Sequence, residues 1–448
     1  MTDEARRTIK RLPAYDQQGG WNEILPPRPE PTVLRGDVEA DYAIVGAGYA
    51  GLAVARRLSE LAPRAKIVLV EGTRIGNNAA GRSSGFAIDH AHNLRAKGFA
   101  DDIANAKLQV AINRAGLDYL DKAIREHKID CGWVREGKVH AAATDRGAKL
   151  LDNFAASLDA IDEDHTHLSR AELKDWFGTD YYQAGVHAPH SYLVQPAAMV
   201  RGLADHLPEN VRVFENTMVT SVVYGRPHKL NTASTSGPAS IAAENLVLAN
   251  NGFVTGFGFA EKHLIPMITW GSMTRPMTND EAARLGGRES YGIIGAHPAG
   301  SSVRRMPDGR ILIRNIFSFS RRSKITGPWL DKARATHRAS FEARYPMLRD
   351  VEFEHTWGGA LSLTRNGAPL FGELSHNVYG CSVHNGVGIA RGTISGKLLA
   401  EHMLGDDNEL VQAMLTKGRP SRNYPEPFNS LGVRMNARWR RRQAGAEE

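Results

Sequence analysis

The chain lacks any apolar run approaching the ~20 residues a membrane-spanning helix requires, so no membrane span is expected. Cysteine is scarce. Cys131 and Cys381 are the only two in 448 residues, far apart and without metal-type spacing. That excludes a disulfide framework and a cysteine-ligated metal; free thiols are expected, and no metal centre. The first residues, Met1 to Arg7, contain no apolar segment of the secretory type, so Arg6-Arg7 is not read as an export signal and a cytoplasmic location is expected. A net acidic balance is also missing, the formal charge being +7. Arg434, Arg438, Arg440, Arg441 and Arg442 supply much of it near the C-terminus. No aromatic stacking platform or nucleic-acid motif accompanies them. Arg438 to Arg442 therefore reads as a solvated helix end, and no nucleic-acid partner is expected. With 42% hydrophobic and 23% charged residues the chain is an ordinary α/β composition, long enough for about two or three domains. Nothing in it fixes an oligomeric state.

What is present is organised around residues 41–52, DYAIVGAGYAGL. This reads as a buried strand, a tight glycine turn and the start of a helix. Ile67 to Val70 reads as a second strand, ending at Glu71, 20 residues after Gly51. Strand, G-x-G-x-x-G, helix, strand and acid together make the dinucleotide fingerprint in its required context. Gly46 permits the turn, Gly48 admits a pyrophosphate, and Gly51 lets helix and strand pack closely. Tyr49 and Ala50 open the helix, whose unpaired N–H groups and positive dipole end face the phosphates. Glu71 suits a ribose diol and would repel a 2′-phosphate, which argues against NADP; FAD and NAD both remain open. The alternative is a plain glycine turn beside a solvated acid.

Residues 1–37 read as an irregular arm, broken by Gly19-Gly20 and by prolines 26, 27, 29 and 31. The small, polar run from Gly76 to Phe86 suits close backbone approach to a planar ring, or is an ordinary loop. A helix is expected over 101–128, a strand pair at 129–134 and 137–140, and a capping box at Ser169–Glu172. The strands 211–214, 218–223 and 245–248 suit a doubly wound sheet. Residues 260–350 read as a second, antiparallel sheet with a helix from Lys332 to Tyr345. From Trp357 the chain again reads strand, glycine turn, helix.

Taken in order, GAGYAGL, the strand-end Glu71, AAGRSSG, LVQP, LVLANNG, WGG…APLFG and NGVG resemble the flavin-dependent amine and amino-acid oxidase family. That family includes D-amino-acid, sarcosine and glycine oxidases, and the motif detail is most like its γ-glutamylputrescine oxidases. The resemblance implies an α/β fold: a discontinuous Rossmann-like FAD-binding domain (38–100, 190–258, 355–405) and a substrate domain (101–189, 259–354) with a large antiparallel sheet, followed by a tail (406–448). It implies non-covalent FAD. Gly46, Gly48 and Gly51 would hold the pyrophosphate with Tyr49 and Ala50, and Glu71 the ribose. Gly81, Arg82, Ser83 and Ser84 would lie near the ring, Val219 at the adenine, and Asn250, Gly386, Val387, Gly388 and Ile389 around the cofactor. Val387 stands where relatives often carry histidine, and the family's small-residue segment is usually richer in glycine than Asn78, Ala80 and Ser84 allow.

The same resemblance implies two-electron oxidation of a substrate C–N bond to an imine, hydrolysed by water, with dioxygen reduced to hydrogen peroxide. Candidate substrate residues lie among Arg275, Arg304, Arg305, Arg310 and Arg314. Arg305 and Arg314 are the leading candidates for a substrate carboxylate, because guanidinium pairs bidentately with that group. Alternation puts Arg310, Leu312 and Arg314 on one face of a strand without saying which face looks at the cofactor. His297 and His384 are weaker candidates. A small anionic amine, an N-substituted glycine or an iminodiacetate-like compound, is the expected substrate. The alternatives are a γ-glutamylated polyamine and a dehydrogenase that passes electrons to a partner or quinone.

Overall fold

The computed structural model describes residues 6–15, 17–90, 103–321, 323–325 and 327–448. The domain boundary expected near residue 100 and the segment Met1 to Ala5 lie outside them.

Two sheets carry the fold. In the first, Asp37–Val45 runs parallel to Ile67–Val70 on one side and to Gly237–Leu248 on the other. Val211–Phe214 extends it beyond Ile67–Val70, and Val378–Ser382 pairs with the end of Gly237–Leu248. The sequence Ile67-Val68-Leu69-Val70 is buried throughout, as a parallel strand covered on both faces must be. Helices Tyr49–Leu61 and Gly388–Met403 pack together on one face. Gly396 makes that approach possible, because a Cβ there would fall 2.2 Å from the Ala50 carbonyl oxygen.

This sheet is less purely parallel than expected. Met218–Val223, His228–Ser234 and the first half of Gly237–Leu248 form an antiparallel meander. The polar run after residue 223 holds a strand, and its alternation buries His228, Leu230 and Thr232 and leaves Lys229 and Ala233 outside. The arm contributes as well: Arg6–Thr8 adds an edge strand to Met218–Val223, and Gly20–Glu23 is a short helix that buries Trp21.

The second sheet has eight strands. At its centre Leu264–Thr274, Ile311–Phe319, Ser302–Arg305 and Tyr291–Gly295 are antiparallel neighbours. Phe353–Thr364, placed with the FAD domain by the sequence reading, is bonded along its length to Leu264–Thr274 in this sheet instead. Lys138–Ala142 joins Tyr291–Gly295 and Ala184–Ala188. The strand pair expected at 129–134 and 137–140 does not form. Gly132, inside the first, and Gly137, at the start of the second, take positive φ, and Val134 only bridges to Leu193. The capping box at Ser169 is present, with both reciprocal bonds made.

The helix Gly327–Arg344 covers one face of the second sheet. Ile311, Ile313 and Val303 pack there against Phe341 and Tyr345. The other face, with Leu312 against Trp21, Ala197 and Trp357, looks toward the first sheet. The site lies between the two sheets.

Candidate functional site

A cavity of about 590 Å³ runs from the fingerprint turn to the second sheet. That is within the ~300–1,000 Å³ of cofactor and small-molecule sites. Gly46, Ala47, Gly48, Tyr49, Ala50 and Glu71 line one end, and His140, His297, Ser302, Arg314 and Phe317 the other. Val219, Asn250, Arg82, Ser83, Ser84, Gly386, Val387, Gly388 and Ile389 line the walls. Of the cofactor residues expected from the sequence, only Gly51 and Gly81 stand behind the surface, where both serve packing.

The fingerprint turn is set by sterics. Gly46 has φ +105°. A Cβ on Gly51 would sit 1.8 Å from the Gly46 carbonyl oxygen. Glu71 is buried and accepts from Ala47 N at 3.1 Å, Thr73 N at 3.1 Å and Asn78 Nδ2 at 2.5 Å. Burial pushes its pKa up and these donors pull it down.

The helices Tyr49–Leu61 and Gly388–Met403 both begin at the cavity, and neither has a side-chain N-cap. Their first N–H groups are thus available to phosphate and ring oxygens. A Cβ on Gly386 or Gly388 would meet nothing within 4 Å. The turn before the second helix is strained: Val383 and Asn385 hold φ of +66° and +52°. Asn385 fixes it, accepting from Thr364 N at 2.8 Å and donating to the Gly367 carbonyl at 2.9 Å. Asn78 Oδ1, Asn250 Oδ1 and His384 Nδ1 are buried at the cavity without a hydrogen-bond partner among the described residues. Open glycines, two uncapped helix starts and unsatisfied polar atoms fit a bound dinucleotide with a polar ring.

Arg82 is a brace. It donates to the carbonyls of Asn77, Gly358 and Gln17 and lies 4.2 Å from the Tyr15 ring centroid. Trp21 and Trp357 donate to the Ser83 and Arg82 carbonyls. The run Gly76 to Phe86 is thereby tied to the arm and to the second sheet, which an ordinary loop would not be.

Strand register sorts the arginines. Ser302 is the cross-strand partner of Arg314, so both point to one face, and Arg314 Nη2 donates to Ser302 Oγ at 3.1 Å. Arg314 is half-buried with its free surface at the cavity, and desolvation lowers its pKa to about 10. It has no ion pair with a carboxylate among the described residues. Arg305, one residue on from the Ser302–Arg304 alternation, points to the helix-covered face and donates to the Gly286 carbonyl; it does not line the cavity. Arg310 and Arg275 are paired with Glu354 and Glu281 away from the cavity.

Arg304 shares the Arg314 face but is a structural group. It is buried and donates to the carbonyls of Val194 at 2.5 Å and Gly85 at 3.0 Å, 5.5 Å from the Trp21 centroid. Arg304→Ala leaves the buried Val194 carbonyl without its side-chain donor and the Gly85 carbonyl with Val194 N alone, and is expected to cost about 3 kcal/mol of stability. A urea unfolding midpoint unchanged from the parent would remove that role.

His297 lines the cavity and accepts from Ala299 N at Nδ1, which leaves its proton on Nε2. His384 also lines it, and desolvation beside Arg391 lowers its pKa to about 4, so it is neutral at pH 7.

Several lining residues carried no local signal. His140 comes from the Lys138–Ala142 strand. Arg440 comes from the C-terminal helix Phe428–Ala444, so the tail read as solvated forms part of the wall. That helix is clamped behind Arg440. Glu447 accepts from Ala143 N, Thr144 N and Thr144 Oγ1, and its main-chain oxygen accepts from Ser301 N at 2.8 Å and Arg344 at 3.1 Å.

Residues 41–402 match the family described as FAD dependent oxidoreductase. The γ-glutamylputrescine oxidoreductase of Escherichia coli is 23% identical over 413 residues, 89% of this chain and 92% of that one. The crystal structure of glycine oxidase from Geobacillus kaustophilus superposes with a TM-score of 0.70 at 19% identity, covering 85% of this chain and 100% of that chain. That of iminodiacetate oxidase from Chelativorans does so at 0.63 and 15% identity, covering 82% and 96%. With the family match spanning most of its length, and with the resemblance drawn from the motifs borne out, the chain belongs to the FAD-dependent oxidoreductases.

Proposed function

We propose that the protein oxidises the C–N bond of a small amine bearing a carboxylate, an N-substituted glycine or an iminodiacetate-like dicarboxylate. The product imine is hydrolysed to an aldehyde or keto acid and an amine, and dioxygen leaves as hydrogen peroxide. Bound FAD supplies the two-electron oxidation. The protein binds, orients and desolvates.

One observation carries the reading: Arg314 brings a guanidinium to the cavity, and its one hydrogen-bond partner among the described residues is the neutral Ser302. A desolvated cation without a counter-charge is a place for an anion, and a carboxylate takes its fork bidentately. Arg440 adds a second cation to the lining. His297 can donate from Nε2 to the substrate. Gly300 and Pro298 line the wall beside it, and Phe317, 5.2 Å from Arg314, keeps the guanidinium in place. The glycine and iminodiacetate oxidases similar in fold act on compounds of this class by their names.

A polyamine substrate is less well served. Its cationic tail needs an acid, and Glu71, at the far end of the cavity, is the only acidic residue in the described lining.

Oxygen uptake with peroxide detection, over a panel of N-substituted glycines, iminodiacetate, D- and L-amino acids and γ-glutamylputrescine, tests the reading. Turnover of the first two with peroxide release is expected. Preference for the polyamine, or turnover with a dye acceptor and no oxygen uptake, would overturn substrate or acceptor respectively.

A further inference from the structure

The helix Phe428–Ala444 is built the wrong way round for a surface helix. Its larger apolar side chains point out. Phe428 is 71% exposed, Leu431 56%, Met435 60% and Trp439 50%. At spacings of three and four residues they form one stripe. Its inner face is made instead of Ser430, Val433, Ala437, Arg440 and Ala444. Tyr424, just before it, is also exposed. Scattered exposed apolar residues need no explanation, but a continuous stripe on one helix does.

Charge decides what covers it. The helix holds five arginines and no acid. Arg434, Arg438 and Arg442 are exposed and flank the stripe on one side at successive turns. A second copy docked through the same face would set these arginines against their equivalents without a carboxylate on either helix. An anionic lipid surface accepts both features. The apolar stripe sinks to the headgroup boundary and the guanidinium groups meet phosphates. The helix already lies along the body, with Arg434 5.6 Å from the Phe319 centroid, so it can rest in the plane of the interface without unfolding.

We propose that this face docks the protein on anionic membranes as a peripheral, non-spanning contact. The same helix carries Arg440 to the cavity on its inner side, so the docked face and the substrate end of the site are two sides of one element.

The test is sedimentation of the yellow holoprotein with phosphatidylglycerol–phosphatidylcholine vesicles and with pure phosphatidylcholine vesicles. Three arginines at roughly fivefold each predict binding to the anionic vesicles roughly 100-fold tighter, lost in high salt. The triple variant Arg434→Gln, Arg438→Gln, Arg442→Gln should bind both alike. The quadruple variant Phe428→Ser, Leu431→Ser, Met435→Ser, Trp439→Ser should lose binding to both. All seven substituted positions are exposed, so retained flavin absorbance and melting temperature separate lost docking from misfolding. No vesicle binding by the parent protein, or equal binding by the quadruple variant, overturns the proposal. A concentration-dependent dimer that the quadruple variant abolishes, without vesicle binding, overturns it too and gives the stripe to a second copy. No turnover is measured, so these outcomes are independent of the substrate reading.

Discussion

Arg314→Ala is expected to raise the KM for the carboxylate substrate roughly 100-fold, because truncating one member of a desolvated charge pair costs about 3 kcal/mol. The protein should stay yellow, since Arg314 lies at the opposite end of the cavity from the fingerprint turn. Thermal stability supplies the sharper criterion. A guanidinium that is desolvated and held by one hydroxyl is a cost to the free protein, so its removal should leave the melting temperature unchanged or raise it. A structural arginine such as Arg304 behaves the other way. The pH dependence has a definite sign. With a pKa near 10 in the free protein, Arg314 is cationic below that pH and loses its charge above it. Affinity for a carboxylate inhibitor should therefore be full at neutral pH and fall as pH rises through about 10. The alanine variant should lack this fall. Arg314→Lys keeps the charge but not the fork, and should recover part of the loss. An unchanged KM in Arg314→Ala would remove the residue from the site.

The difference between what the sequence disclosed and what it hid follows the range of the forces involved. The fingerprint was legible because its constraints are local: Gly46, Gly51 and Glu71 act across one turn and one neighbouring strand. The capping box at Ser169 was legible for the same reason. The side on which Arg314 lies was not. Alternation offers two faces, and only the pairing of Arg314 with Ser302 selects the one toward the cavity. Arg305 failed on that parity. Phe353–Thr364 was assigned to the wrong sheet because a glycine-rich strand before a glycine turn looks like a repeat of the fingerprint, whereas its partner, Leu264–Thr274, is some ninety residues earlier in the chain. The antiparallel meander after residue 218 was missed because half of its alternating side chains are polar even where buried, as Thr232 and His228 show. His140 and Arg440 reach the cavity only through tertiary packing, so no window of sequence around them could have marked them. The C-terminal helix misled most: a run of arginines reads as solvated, and the stripe from Phe428 to Trp439 signifies something only once the structure shows it facing out.

Gly51→Val is expected to abolish FAD binding, and the reason separates two glycines that the motif treats alike. A Cβ at Gly51 would stand 1.8 Å from the Gly46 carbonyl oxygen, which is backbone and cannot swing aside. The helix Tyr49–Leu61 must then move off the strand Asp37–Val45. It carries its first N–H groups away from the phosphates as it goes and loosens its packing against Gly388–Met403. Overpacking of this kind costs about 3 kcal/mol or more, and both the fold and the cofactor site suffer. Even Gly51→Ala should lower the melting temperature of the flavin-free protein. At Gly48 a Cβ would meet only Ala80 Cβ, at 3.6 Å, an ordinary contact. Gly48→Ala should therefore leave the flavin-free protein as stable as the parent while weakening FAD binding, because the added methyl occupies the approach to the pyrophosphate. Melting curves with and without added FAD, together with the ratio of flavin to protein absorbance, distinguish the two. If Gly48→Ala destabilises the flavin-free protein as much as Gly51→Ala does, the first glycine after the turn is there for packing, and the phosphate approach assigned to it is wrong.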